Sequence, residues 1–311
     1  MNMLAVRSSL AAGIRLWPLA LLMALALGAY QMKATHLDDR LYYWFQTALD
    51  RDDWESRGMQ LLRYQAVIEA RPVAGIADNL SGLAFDADRD VLWGVINSPE
   101  ELVSLDREGN LLSRHTLSGF TDVEGVAYLG DDLLVVVEER SHALLVIPVP
   151  KDNAGVIDRG AGTGLTLGID AGDNDGFEGL AYDRDGDRLF VVKEHSPMKL
   201  YEIRGLRQSA MGQFNLEVID RQDWIERSVM ATDLSSVEYD PRTGHLVLLS
   251  DESKLLMELD REGSLVGYRS LSRGFAGLKD SVPQGEGLTF DQHGDLYLVS
   301  EPNLFYRFRR E

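Results

Sequence analysis

The sequence predicts an all-β fold, a five-bladed β-propeller of four-stranded antiparallel blades closed by an N-terminal strand and preceded by an N-terminal membrane helix. Three observations carry the propeller: a pattern repeated five times from residue 79 onward, hairpin punctuation inside every copy, and an unpaired β segment ahead of the first copy. The copies begin "NLSGLAFDADRDVLWGVIN", "DVEGVAYLGDDLLVVVEE", "GFEGLAYDRDGDRLFVVKE", "DLSSVEYDPRTGHLVLLSD" and "QGEGLTFDQHGDLYLVSE". They register on a small residue before an apolar pair, at Gly82, Gly125, Gly179, Ser236 and Gly287, with spacings of 43, 54, 57 and 51.

Each copy holds a short apolar-aromatic strand, an Asp/Gly turn, a run of β-formers, a polar break and a third strand. Copies one and four add a "DREG" turn, Asp106 to Gly109 and Asp260 to Gly263, followed by a fourth strand. Copy five stops at Glu311 after its third strand, so one blade is a strand short. The segment "MQLLRYQAVIEARPV", residues 59–73, can supply that strand and remove an open sheet edge. The stretch 150–175 is long and poorly patterned, which keeps a six-bladed ring open. It is assigned here to the outer strand of blade two plus a Gly/Asp loop.

The propeller is therefore expected over 59–311, with a signal-anchor or transmembrane segment over 1–32 and an amphipathic helical linker over 33–58. The core "LWPLALLMALALGAY" runs from Leu16 to Tyr30, with Arg7 and Arg15 before it. Its length suits a signal peptide, and Ala24-Leu25-Ala26 offers a cleavage pattern. Apolar residues reaching back to Leu10 also allow a span of about 10–31, and an uncleaved anchor is expected. Basic residues before the core and acids after it place the bulk outside the cytoplasm, on the extracytoplasmic side of the cell (inner) membrane. Within the linker, Leu37, Leu41, Trp44, Phe45 and Leu49 recur at rough helical spacing.

The formal charge of −19 repels phosphate backbones and argues against a nucleic-acid partner, whereas a cation suits it. The chain has no cysteine, which excludes disulfides, thiolate catalysis and thiolate metal sites. The six histidines form no ligand pattern, and neither a nucleophile elbow nor a phosphate loop is present. His195 alone follows a ring acid and could be a base, while Ser250 and Ser300 precede ring acids without a His–Asp relay.

The acids themselves are patterned. The residue before each register mark is Ser81, Glu124, Glu178, Ser235 and Glu286, and the residue after each second strand is Ser98, Glu139, Glu194, Asp251 and Glu301. Inner strands line a propeller's channel, so these two rings converge at one mouth, where crowded carboxylates call for a compensating cation. Ca²⁺ accepts 6–8 oxygens in irregular geometry, so Ca²⁺ is the expected ion and Glu124, Glu139, Glu178, Glu194, Asp251, Glu286 and Glu301 are its candidate ligands. Zinc is disfavoured without a His or Cys cluster. Lys193 and Arg140 could instead pair with individual ring acids. The cluster Asp170 to Gly176 partly matches a calcium loop, and Asp183 to Asp187 has the composition of a hairpin turn.

The residues "NLSGLAF", "DVEGVAYLGD", "GFEGLAYD", "VVKE", "LLSDES" and "VSEPNLFYRF" resemble the SdiA-regulated family of bacterial envelope proteins over about 75–310. The resemblance implies a five-bladed propeller distantly related to NHL-repeat propellers and a bound calcium, with no established activity. Two functions are compatible with these expectations. One is a membrane-anchored binding or scaffold module for a small-molecule or protein ligand, with calcium at the channel mouth. The other is a metal-dependent hydrolase of lactonase or phosphoesterase type, with a ring Glu as base.

Overall fold

In the computed structural model, which describes residues 17–167, 176–195 and 197–311, the β segments form five sheets around one axis. The ring-closing strand β1 (Tyr64–Pro72) precedes blade 1, made of β2 (Leu80–Asp86), β3 (Val91–Asn97), β4 (Glu100–Leu105) and β5 (Leu111–Ser118). Blade 2 contains β6 (Val123–Gly130), β7 (Leu133–Glu138) and β8 (Ala143–Pro148). Next come β9 (Ala154–Asp158) and β10 (Thr163–Thr166), of which β10 completes blade 2. Blade 3 is β11 (Phe177–Asp183), β12 (Arg188–Lys193), β13 (Lys199–Arg204) and β14 (Glu217–Asp220). Blade 4 is β15 (Ser236–Asp240), β16 (His245–Ser250), β17 (Leu255–Leu259) and β18 (Leu265–Ser270). Blade 5 is β19 (Gly285–Phe290), β20 (Leu296–Ser300) and β21 (Leu304–Arg310), completed by β1 in the order β1-β21-β20-β19.

The ring is thus closed by an N-terminal strand, with Tyr64 opposite Arg310 and Pro72 opposite Leu304. β9 departs from expectation. It leaves blade 2 and runs parallel to β5 of blade 1, from Arg114↔Ala154 to Ser118↔Asp158, before β10 returns. Its face is mostly exposed, and it covers an edge that would otherwise present unpaired N–H and C=O groups.

Apolar side chains alternate between the two faces of each blade and meet those of its neighbours, so the core is divided into inter-blade layers. Val135, Val137, Leu189 and Val191 fill the layer between blades 2 and 3, and Phe190, Val192, Leu246 and Leu248 that between 3 and 4. Buried aspartates pin the hairpins: Asp183 Oδ1 accepts from the Asp185 and Gly186 N–H groups, confirming 183–187 as a turn.

The register glycines sit where inner strands pass backbone to backbone. A Cβ on Gly125 would lie 2.4 Å from the Glu178 carbonyl oxygen, and one on Gly179 2.5 Å from Ser236 Cα. Gly125→Ala is expected to cost about 1–3 kcal/mol through overpacking against backbone that cannot yield. A chain of this size then melts roughly 2–4 °C lower per kcal/mol. An unchanged calorimetric melting temperature would show that the inner ring can expand.

Two helices precede the propeller, α1 (Trp17–Ala34) and α2 (Leu37–Arg57). No helix among the described residues is long and apolar enough to cross a membrane, which overturns the expected single-pass anchor and the inner-membrane location built on it. The described helix has 18 residues and ends with Gln31 and Lys33 in its last turns. At 1.5 Å per residue it reaches about 27 Å, short of a hydrocarbon core of about 30 Å. Residues 10–16 of the expected span lie outside the described residues.

The second helix docks on the propeller through a face other than its apolar stripe. Leu37, Leu41, Trp44, Phe45 and Leu49 are exposed, whereas Asp39, Tyr43, Thr47 and Trp54 are buried. Tyr43 stacks on Tyr268 of blade 4 at 5.3 Å, and its hydroxyl accepts from the Met230 N–H at 2.7 Å. Ser253 donates to Asp39 Oδ2 at 2.7 Å. Tyr43→Phe removes only the hydroxyl, and because it orphans a backbone N–H a loss of about 1–3 kcal/mol is expected in urea titrations. A loss within error would mean that water satisfies the Met230 amide.

Candidate metal centre

The first residue or two of the inner strands carry the ring acids, and a local irregularity aims them. In β6, Val123 pairs with Glu138 and Gly125 with Val137, which leaves Glu124 as an extra residue in a bulge. In β19 the pairs Gly285↔Ser300 and Gly287↔Val299 do the same for Glu286. Bulges of this kind commonly redirect a side chain at a barrel or channel rim. The second ring sits one residue past β7, β12, β16 and β20, as the repeat requires.

Both rings meet. A polar cavity of about 290 Å³ is lined by Glu124, Glu178, Glu194, Asp251, Glu286 and Glu301 together with Asp233 and Glu252. Glu139, the seventh candidate, lies on its flank: carboxylate oxygens of Asp122, Glu124 and Glu139 fall within 4.8 Å of one another. Asn97 and Gln284 add amide groups, and Asn97 Nδ2 donates to Glu124 Oε1 at 2.7 Å.

Asp122 and Asp233 were not anticipated. Each stands two residues before its ring position, where the five copies carry Asn79, Asp122, Gly176, Asp233 and Gln284. Four of these five have polar side chains, a third register of the repeat in which acids, amides and a glycine are mixed. Asp122 adopts φ 57°, a conformation Asp tolerates, while Asp233 accepts from the Asp251 N–H at 2.9 Å and so fixes the loop that carries Asp251.

Compensation by cations is partial. Arg140 Nε meets Asp122 Oδ2 at 2.8 Å, Lys254 Nζ meets Asp251 Oδ1 at 2.6 Å, and His195 Nδ1 lies 3.2 Å from Glu194 Oε2. Among the described residues no Lys or Arg pairs with Glu124, Glu139, Glu178, Glu286 or Glu301, and the buried Lys193 Nζ has no hydrogen-bond partner. Burial, reinforced by neighbouring carboxylates, therefore pushes Glu124 and Glu139 up to about 7. Burial first, and then Glu124, Glu139, Glu286 and Glu194, holds Glu178 well above the usual range, and Glu286 is displaced the same way.

The donor set is all oxygen and irregular. That suits a hard cation, since oxygens 4.8 Å apart can share one Ca²⁺ at 2.3–2.6 Å from each. A tetrahedral nitrogen or sulfur site is not assembled by the described residues. The segment 170–175, which holds the acids of the other candidate calcium loop, lies outside the described residues.

The SdiA-regulated family profile matches residues 56–309. The chain belongs to the SdiA-regulated family. The match begins at the end of α2 and covers all five blades of this SdiA-regulated protein. Among solved structures it is similar to a gluconolactonase from Xanthomonas campestris, at 13% identity and TM-score 0.45 over 79% of this chain and 97% of the other. A streptogramin B lyase aligns at 9% identity and TM-score 0.45, over 81% and 99%. A protein of unknown function from Bacteroides thetaiotaomicron aligns at 13% and 0.48, over 76% and 58%. Likeness at this level concerns the fold alone.

Proposed function

We propose that this SdiA-regulated protein is a divalent-cation-binding propeller whose channel mouth holds Ca²⁺ and serves as a binding or scaffold module for a small-molecule or protein ligand. The observation that carries this reading is the convergence of eight carboxylates on one cavity, most of them half-buried and, among the described residues, without a Lys or Arg partner. A like-charged cluster of that kind is costly to hold together unless a cation shares it. Asp122, Glu124 and Glu139 would supply the shortest-range ligands, and the remaining acids the wider field that attracts the ion.

Calorimetric titration of the metal-stripped full chain with Ca²⁺ tests it. Saturable binding is expected, weakened at least about tenfold by Glu124→Gln, which corresponds to one lost charged ligand. Absence of saturable heat with Ca²⁺, Mn²⁺ and Mg²⁺ would remove the reading.

A metal-dependent hydrolase is the second reading. It is favoured by one feature: the triad stands at the wall of a cavity large enough for a reacting group beside the ion. Turnover of lactones or phosphoesters that requires the added cation and is lost in Glu178→Gln would establish it. A panel of both substrate classes without turnover would dismiss it.

A further inference from the structure

At the other end of the inner strands lies a second cavity of about 310 Å³, which the acidic mouth does not involve. The repeat places an aromatic residue three positions after each register mark, and all five, Phe85, Tyr128, Tyr182, Tyr239 and Phe290, line this cavity. One position earlier the inner strands carry Ala84, Ala127, Ala181, Glu238 and Thr289. Three of those are alanines, and the space their missing side chains leave is the cavity itself.

Glu238 is the anomaly. The other charged groups here are matched: Arg242 Nε donates to Asp240 at 2.7 Å, Arg107 meets Asp291 at 3.1 Å, and Arg184 reaches Asp88 at 3.4 Å. No Lys or Arg pairs with Glu238 among the described residues, and the polar groups that favour its charged form are neutral, the Thr289 hydroxyl and the Tyr239 N–H. Thr289 is itself held in place, because its oxygen accepts from the Phe85 N–H at 3.1 Å. A half-buried carboxylate in a cavity wall without a counter-charge is unfavourable unless a cation joins it.

The walls decide which cation. A metal ion needs several available oxygens, but Asp240 and Asp291 on this wall are engaged by Arg242 and Arg107, which leaves Glu238 as the carboxylate without a basic partner beside aromatic and alanine side chains. Aromatic rings around a carboxylate instead suit an organic ammonium group, whose charge meets both the acid and the π-faces. The volume stands at the lower end of the range for small-molecule sites.

We propose that this cavity is a second ligand site, taking a small organic ammonium compound with its cationic head at Glu238 and its apolar body among the five aromatic residues. The test is calorimetric titration of the full chain with tetramethylammonium, ethanolamine and putrescine. At least one should bind with a Kd on the order of 1 mM or tighter. Glu238→Gln, which is isosteric, should weaken that binding at least about tenfold. Tyr128→Leu, which keeps apolar volume and removes the ring, should weaken it about threefold. Glu178→Gln, at the acidic mouth, should leave it unchanged. Failure of all three amines to bind overturns the proposal, and so does binding that survives Glu238→Gln but falls in Glu178→Gln. This outcome is independent of whether the other mouth binds Ca²⁺.

Discussion

Glu178→Gln is expected to raise the melting temperature of the cation-free protein and, in the same molecule, to shrink the stabilisation that Ca²⁺ confers. Glu178 is surrounded by Glu124, Glu139, Glu194 and Glu286, and burial disfavours its charge even before those neighbours are counted. An isosteric amide removes both penalties, so a gain of about 1–3 kcal/mol is expected without the ion. With Ca²⁺ at 100 times its Kd the wild type gains about 2.7 kcal/mol by mass action. A variant binding tenfold more weakly gains about 1.4 kcal/mol at the same concentration. Opposite signs in the two conditions are hard to obtain from a merely structural carboxylate. If the substitution lowers the cation-free melting temperature and leaves the Ca²⁺ increment intact, Glu178 is a hydrogen-bond acceptor for the fold and no part of the ion site.

The second large effect is on pH. Glu124 and Glu139 titrate near 7 in the folded, ion-free chain because burial opposes their ionisation, whereas in the unfolded chain a glutamate titrates near its ordinary value of about 4.3. A carboxyl raised on folding contributes stability below the unfolded pKa and loses it as pH climbs through the folded one. The ion-free protein should therefore become progressively less stable between about pH 4.5 and pH 7.5, on the order of 2–3 kcal/mol for Glu124 alone. Ca²⁺ affinity should move the other way, strengthening over the same window, with proton release measurable as buffer-dependent heat. A Ca²⁺ affinity flat from pH 5 to 8 would sink the assignment of Glu124 and Glu139 as ligands.

Much of this architecture was readable from spacing. Register marks on small residues led to five blades because inner strands must pass within van der Waals contact, as Gly125 against the Glu178 carbonyl illustrates. The acids flanking those marks were readable for the same reason: period-locked positions recur at one end of the ring. What escaped was aperiodic or shared a signal with something else. Asp122 and Asp233 sit at a third register whose other members are Asn, Gly and Gln, so their common placement is masked by mixed chemistry. β9 has only two β-formers, Val156 and Ile157, and its partner is in the preceding blade, a parallel pairing that no local pattern announces. The docking face of α2 was not legible, because hydrophobicity marks Leu41 and Phe45, while the propeller engages Tyr43 and Asp39 through hydrogen bonds. Apolar character alone also overstated α1, whose described length stops short of a bilayer core.

The pairing of Tyr64 with Arg310 has a consequence for the order of events during synthesis. β1 leaves the ribosome before every blade, yet its sheet partner among the described strands, β21, follows all the other strands, and α2 must likewise wait for Met257 and Tyr268. Blades 1 to 4 can assemble as an open arc while the early strand stays unattached and available to other chains. Such non-local closure is slow and exposes strand edges while it is pending. The vulnerable species is thus the nascent chain before β21 is made, and a stop codon ahead of β21 would be expected to yield aggregation rather than a four-bladed remnant.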